Sequence, residues 1–136
     1  PNKLINDVVW YVGHHDAPIK NERISIKKKL REYGKERFFG LIDVKFADNE
    51  AQATTLSACE RGILGEIREK AEEIVDKNEC FELSSLAVGG DDIILLGFSG
   101  TRIGEILERL LDEVVCERLP NEREKLLGFA AKRFKR

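Results

Sequence analysis

The chain has 136 residues, of which 42% are hydrophobic and 35% charged, and its formal net charge is -2. This length can bury an apolar core, and the composition excludes both a disordered chain and a membrane-spanning protein. The first residues lack the basic start and the cleavage site of a signal peptide. Because Pro1 stands where a Met would be, and a helix is already under way at Leu4, we expect a piece of a longer protein that begins inside a fold.

Apolar residues recur at helical spacing along nearly the whole chain. The first apolar face stops at Gly13, and Pro18 interrupts the pattern, so the sequence HHDAPIKNE is predicted to connect two helices. A short basic helix follows, with Gly34 as its C-terminal left-handed residue, and a third helix comes next. The apolar positions of these helices are Leu4, Val8, Val9, Tyr11 and Val12; Ile26, Leu30 and Tyr33; and Phe38, Leu41, Ile42 and Phe46.

The longest predicted helix runs from Leu56 to about Lys77, and Ser84 or Ser85 is available to cap a short segment after it. A further apolar stripe from Ile103 to Val115 predicts another helix, whose register Pro120 ends. Asn121 is predicted to cap the last helix. Only IILLGF could form a strand. We therefore predict an all-α fold: one compact domain over residues 1–136, with about six to seven helices.

The three cysteines are odd in number and far apart, and none lies at metal-site spacing. We expect them to be buried, reduced side chains of a cytoplasmic protein. They are Cys59, Cys80 and Cys116.

Basic residues concentrate in two segments. Between Lys20 and Arg37 there are eight basic and three acidic residues, and the C-terminal AAKRFKR adds four basic ones. Such clusters can mark a polyanion-binding surface, although basic residues on exposed helix faces are also ordinary solvated groups. The candidate phosphate-binding residues in these segments are Lys27, Lys28, Arg31, Lys132 and Arg133.

Two patterns indicate metal chemistry. The GGDD at residues 89–92 matches a turn that holds catalytic metal in palm-type polymerases and nucleotide cyclases, but the flanking strands and the further carboxylate of such a site are missing here. We interpret Gly89 and Gly90 as a bend, Asp91 as an N-cap, and Asp92 as the start of a short helix that ends at Gly97. A GGDD palm nucleotide cyclase or polymerase remains one alternative function.

The second pattern is a His-His-Asp sequence after the first helix. In HD-type phosphohydrolases such residues bind metal together with His and Asp residues of other helices. This chain has only two histidines, and they are adjacent. An HD-type metal-dependent phosphohydrolase is a further alternative, and its candidate ligands are His14, His15, Asp16 and Asp48.

The sequence GFSGTRIG, residues 97–104, is called the glycine loop below. It places Gly97, Gly100 and Gly104 around a predicted helix start, where unpaired N–H groups and open space suit a phosphate. The pattern resembles a helix-hairpin-helix phosphate clamp, to which Thr101 could add a hydroxyl and Arg102 a charge. Helix capping and tight packing by the glycines is the structural alternative.

The string LAVGGDDIILLGFSGTRIGEILERLLDEV, followed by LPNEREKLL, resembles the C-terminal region of bacterial CCA-adding tRNA nucleotidyltransferases, also known as poly(A) polymerase-like enzymes. The chain departs from the family at Ser85, usually Asp, and at Thr101, often Pro. HHDAPI, the basic helix and FFGLIDVKFAD are similar to the degenerate HD-like portion of these enzymes. The matching positions are Leu86, Gly90, Asp92, Ile93, Gly97, Gly100, Ile103, Gly104, Leu107, Leu110, Leu111, Val114, Leu119, Asn121 and Glu122.

The resemblance implies a degenerate HD-like portion at residues 1–52 and a tRNA-binding body and tail at residues 53–136. In the family, body and tail hold the tRNA acceptor and TΨC arms through backbone contacts. An N-terminal head, not visible in this sequence, binds Mg²⁺ and CTP or ATP and carries out catalysis. For this chain we therefore expect no catalytic residue and no cofactor of its own. The expected partners are tRNA and the rest of the parent polypeptide, head and neck, with no membrane.

Overall fold

The computed structural model describes residues 2–51 and 55–134, with backbone alone for residues 55–57. Within these ranges the chain forms seven α-helices and one 3-10 helix and contains no strand, so the predicted all-α fold with six to seven helices is confirmed. In the same ranges, no helix is long and apolar enough to cross a membrane. The α-helices are α1 (Asn2–His14), α2 (Arg23–Tyr33), α3 (Lys35–Glu50), α4 (Thr55–Asp76), α5 (Gly90–Leu95), α6 (Thr101–Val115) and α7 (Arg123–Arg133), and the 3-10 helix is Leu83–Ser85.

The chain divides into two compact units, Pro1–Lys77 and Asn78–Arg136. Helix α4 belongs to the first unit, whereas the boundary expected after residue 52 assigned it to the C-terminal portion. That expected boundary falls at residues 52–54, which lie outside the described residues.

Helices α2, α3 and α4 pack against one another and build the core of the first unit. Gly34 joins α2 directly to α3: its φ is +83°, and its N–H donates to the Leu30 carbonyl at 2.9 Å. The positive φ was predicted. The ψ of 156° differs from that of a left-handed helical residue, however, and α3 begins at the next residue, Lys35. The buried apolar residues are Ile26, Leu30, Phe38, Leu41, Ile42, Ile67, Ala71 and Ile74.

Helix α1, unlike α2, α3 and α4, contributes no buried residue to the core of the unit. Aromatic side chains hold it against its neighbours. The ring of Tyr11 lies against Gly40 of α3, where an added Cβ would overlap the Tyr11 hydroxyl. The Trp10 ring packs edge-on against Tyr33 of α2 at 5.0 Å. The aliphatic side chains of the apolar face predicted from the sequence are instead largely exposed. This aliphatic stripe of α1, 53–68% exposed, consists of Leu4, Ile5, Val8, Val9 and Val12.

The second unit is organised around α6, which contacts α5, α7 and the 3-10 helix. Most of its apolar stripe is buried as the spacing predicted, and Ile103 and Leu107 are half-buried. The buried apolar residues of this unit are Cys80, Phe81, Leu86, Val88, Ile93, Phe98, Ile106, Leu110, Leu111, Val114, Val115, Leu126 and Ala130.

Three predicted helix caps are wrong. Ser84 and Ser85 lie inside the 3-10 helix, whose N-cap residue is Glu82 and which has no side-chain cap. Helix α5 begins at Gly90 with Gly89 as its N-cap, and the carboxylate of Asp92 reaches back to accept the Gly89 N–H at 2.9 Å, while Asp91 is exposed. The N-cap of α7 is Glu122, not Asn121. The amide of Asn121 instead accepts the Ala87 N–H and donates to the Ser85 carbonyl, both at 2.8 Å, because it can satisfy both kinds of backbone group.

None of the three cysteines, which all lie in the described part of the chain, forms a disulfide, and their expected burial is confirmed only in part. Cys80 is buried, Cys116 is half-buried, and Cys59 is exposed on α4. The exposed position of Cys59 follows from the packing of α4, which buries Ile67, Ala71 and Ile74 further along the helix.

Candidate nucleic-acid interface

The glycine loop connects α5 to α6 through two residues in unusual backbone conformations. Gly97 has a φ of +102° and Gly100 a φ of +64°, which residues with side chains rarely adopt. Between them, the side chain of Phe98 is buried and anchors the loop in the second unit. The loop conformation itself therefore requires glycine at positions 97 and 100.

The N-terminus of α6 presents its backbone amides without a side-chain cap. Gly100 is the N-cap residue, and no acidic residue lies in the first turn of the helix. The Ile103 N–H donates to the Gly100 carbonyl at 3.3 Å, and Thr101 and Arg102 are exposed. Because the first N–H groups of a helix have no intrahelical acceptor and carry the positive end of the helix dipole, this end favours an anion.

Arg102 adds a formal positive charge at the same place. Its guanidinium carbon lies 5.7 Å from the centroid of the Phe98 ring, so the guanidinium packs over a buried aromatic ring. The acidic residues of α6 begin only at Glu105. The favourable position for an anion is therefore the first turn, next to Thr101 and Arg102.

Gly104 differs from the other two loop glycines because neither conformation nor packing requires it. It lies inside α6, and a Cβ built on it would meet no atom within 4 Å. Glycine inside a helix costs about 0.5–1 kcal/mol relative to alanine. Tight packing by glycine, the structural alternative for the loop, therefore does not account for Gly104.

The predicted basic residues do not all reach the surface. Lys27 is only 3% exposed and is thus buried, contrary to its predicted place in a phosphate-binding surface, because α2 packs against both α3 and α4. Lys28 is exposed and Arg31 is half-buried, both in the first unit.

The C-terminal basic segment lies in the second unit, as the glycine loop does. Lys132 and Arg133, in the last turn of α7, are exposed. The remaining two basic residues of AAKRFKR, at positions 135 and 136, lie outside the described residues.

Of the two GGDD aspartates, Asp92 has a structural role. Its carboxylate accepts the Gly89 N–H at 2.9 Å and pairs with Arg123 at the start of α7. The hydrogen bond from Gly89 and the Arg123 guanidinium hold the pKa of Asp92 below its usual range. The residues around it form a helix and turns rather than the two strands of a palm site.

The two histidines lie at the C-terminus of α1 and form hydrogen bonds to its backbone carbonyls. Nδ1 of His14 donates to the Trp10 carbonyl and Nδ1 of His15 to the Val12 carbonyl, each at 2.7 Å. The His14 ring is stacked on Trp10, with 4.1 Å between centroids. Nε2 of His15 lies 3.3 Å from the Asp16 carboxylate. Both rings are thus oriented by the carbonyls of their own helix.

The side chain of Lys45 binds the turn at His15–Ala17, and the sequence had not marked this lysine as a candidate residue. Nζ of Lys45 in α3 donates to the carbonyls of His15, at 3.1 Å, and Ala17, at 2.5 Å. Burial lowers the pKa of Lys45, while the carboxylates of Asp16 and Asp48 act in the opposite direction. Among the described residues, no three or more His, Cys, Asp or Glu side chains are grouped as metal ligands.

Comparison with family models, curated proteins and solved structures finds no match to this chain.

Proposed function

We propose that this chain is the tRNA-binding body and tail of a CCA-adding, or A-adding, tRNA nucleotidyltransferase of the cytoplasm. It positions the acceptor and TΨC arms of tRNA through phosphate contacts, for 3′-end synthesis in a head domain that would bind Mg²⁺ and CTP or ATP. The observation that carries the proposal is the N-terminus of α6, uncapped by any side chain and flanked by the exposed Arg102.

The chemistry of this surface fits a nucleic-acid backbone better than a base. Backbone amides and an arginine recognise phosphate oxygens and carry no sequence information. RNA helices are recognised mainly by shape and by phosphate and 2′-hydroxyl contacts. A protein that holds many different tRNAs needs contacts of this kind. Lys132 and Arg133, exposed in the same unit, add positive charge.

The aliphatic stripe of α1 supports the second expected partner, the rest of the parent polypeptide. Its five side chains are 53–68% exposed on one helix. Contiguous exposed apolar surface of this kind usually marks a surface that another protein segment covers. Head and neck of the parent enzyme would supply that segment.

The alternative functions have weaker support. An HD-type phosphohydrolase would need a metal ion beside Asp16, where the Lys45 ammonium already binds the neighbouring carbonyls. A GGDD palm would need Asp92 as a metal ligand, but this carboxylate caps α5 and pairs with Arg123.

Gly104→Ala tests the proposed interface against a purely structural role of the glycine loop. The added Cβ meets open space, so we expect the variant to gain about 0.5–1 kcal/mol in free energy of unfolding. If a phosphate backbone approaches α6 at this point, the methyl group hinders it, and tRNA affinity falls although stability rises. Urea unfolding followed by circular dichroism and fluorescence anisotropy with labelled tRNA measure the two quantities.

Gly128→Ala in α7 is the matched control, because its Cβ also meets no atom within 4 Å. We expect it to raise stability in the same way and to leave tRNA affinity unchanged. Unchanged affinity in Gly104→Ala, or an equal loss in both variants, would place the RNA elsewhere.

A further inference from the structure

The connection from α6 to α7 returns to the segment that precedes the glycine loop. The amide of Asn121, just before α7, accepts the Ala87 N–H and donates to the Ser85 carbonyl, each at 2.8 Å. These partners lie 34 and 36 positions away from Asn121 in the sequence. One side chain thus satisfies a backbone donor and a backbone acceptor, and it attaches residues 85–87 to the start of α7.

Arg123, the first residue of α7, makes a second attachment to the same segment. Its guanidinium pairs with the Asp92 carboxylate, which also accepts the Gly89 N–H at 2.9 Å. The Asp92 side chain is only 19% exposed, so water and salt screen this ion pair less than a pair on an open surface. The side chains of Asn121 and Arg123, called the α7 clamp below, hold residues 85–92 from both ends.

The position of the glycine loop is tied to that of α5. The two loop glycines with positive φ offer no side chain that could attach the loop elsewhere. The Phe98 N–H donates to the Ile93 carbonyl of α5 at 3.4 Å, and both side chains are buried. Helix α5 in turn lies against α6, since a Cβ on Gly90 would be 3.6 Å from Ile103. The place of the loop therefore follows that of α5, which the α7 clamp holds.

We propose that Asn121 and Arg123 are positioning residues, which hold residues 85–92 and thereby fix the glycine loop relative to α7. The last turn of α7 carries Lys132 and Arg133, so the clamp sets the separation between two basic parts of the candidate interface. Charged groups held in place bind a polyanion more tightly, because less conformational freedom is lost on binding. The effect on RNA rests on the proposed function, whereas the effect on the loop does not.

The first test variant is Asn121→Ala, which removes two hydrogen bonds of the clamp and leaves the charge of the protein unchanged. The N–H groups of Gly97 and Phe98, bonded to α5 carbonyls, report on the loop through their hydrogen-exchange rates, measured by NMR. We expect both rates to rise about fivefold to tenfold, the factor that corresponds to one lost hydrogen bond. The association constant for tRNA, measured by fluorescence anisotropy, should fall about threefold or more, and its salt dependence should become less steep.

Arg123→Gln removes the ion pair and should raise the same two exchange rates, so it replaces Asn121→Ala if that variant does not fold. Val115→Ala is the matched control. Val115 is fully buried at the C-terminal end of α6, and its truncation destabilises the same unit by leaving a cavity. The control should lower the unfolding temperature and leave tRNA affinity and the exchange rates at Gly97 and Phe98 unchanged.

The exchange rates and the tRNA affinity separate the clamp from the proposed function. Unchanged exchange at Gly97 and Phe98 in both clamp variants, or an equal rise in Val115→Ala, would overturn the proposal whatever the tRNA affinity. Faster exchange with unchanged tRNA affinity would overturn the positioning role. A wild type that binds no tRNA would instead refute the proposed function, and the exchange rates then decide on the clamp alone.

Discussion

Glu113 combines burial with charge in the second unit. It is 5% exposed and accepts hydrogen bonds from Nε of Arg118 at 2.6 Å and Nε of Arg109 at 2.9 Å. The bond from Arg118 is the main cause that holds the pKa of Glu113 below its ordinary 4.5, with Arg109 acting in the same direction and burial acting against both. The bonds from Arg118 link α6 to the loop that follows it, and the Arg118 backbone N–H also donates to the Glu113 carbonyl, at 2.9 Å.

Because the pKa of Glu113 is lower in the folded than in the unfolded state, its ionised form stabilises the fold above about pH 4.5, and this contribution is lost as the pH falls further. We expect Glu113→Gln to lower the free energy of unfolding at pH 7 by about 1–2 kcal/mol, a modest value because both arginines are partly exposed. The difference from the wild type should shrink below pH 4.5. Urea unfolding at pH 7 and pH 3.5 measures it, and a difference independent of pH would contradict the assignment.

The burial and the partners of single lysines could not be predicted from the sequence. Lys27 and Lys28 are neighbours of the same type, and the sequence treated them alike, but helix packing buries one and exposes the other. Lys45 was not identified because its partners are backbone carbonyls, which no residue pattern marks. Its signal in the sequence was weak: one basic residue within the apolar stretch FFGLIDVKF.

At the scale of elements, α1 makes one close approach to α3. The Tyr11 ring occupies the space that a Cβ of Gly40 would need. Beside it, Trp10, the only tryptophan of the chain, packs between His14 and Tyr33 and lies 5.1 Å below the Arg37 guanidinium. The fluorescence of Trp10 therefore reports the attachment of α1.

Gly40→Ala should displace Tyr11 and loosen α1 while the core of α2, α3 and α4 stays folded. We expect Trp10 emission to shift to longer wavelength and the free energy of unfolding to fall by about 1–3 kcal/mol, the usual cost of overpacking. Gly62→Ala, whose Cβ would meet no atom within 4 Å, is the control and should leave the emission unchanged. The same emission in both variants would show that α1 is not held at Gly40.

Helix positions were largely predictable, because apolar spacing determines which segments can bury a face. The predicted long helix ending near Lys77 corresponds to α4, which ends at Asp76. Helix caps and the orientation of α1 were not predictable. A cap depends on which side chain reaches a backbone group, as Asp92 does for Gly89. The apolar spacing of α1 gave no indication that its attachment would use the aromatic side instead.

At the scale of the whole molecule, the candidate residues belong to two units. The glycine loop, Lys132 and Arg133 lie in Asn78–Arg136, whereas Lys28 and Arg31 lie in Pro1–Lys77. The sequence predicted the glycine loop at the start of a helix because glycine spacing and helix periodicity are local signals. The division after Lys77 has no such local signal, because it depends on which helices α4 packs against.

The central claim, tRNA binding through phosphate contacts, is tested most directly by the salt dependence of tRNA affinity for the wild type and for Arg102→Glu. The logarithm of the association constant should fall linearly with the logarithm of salt concentration, because phosphate contacts release counterions. Arg102→Glu should weaken binding and reduce the slope by about one. Lys125→Glu, the same charge change on α7 outside the predicted phosphate-binding residues, should have a smaller effect. Absent binding at low salt, binding insensitive to salt, or equal effects of the two variants would contradict the claim.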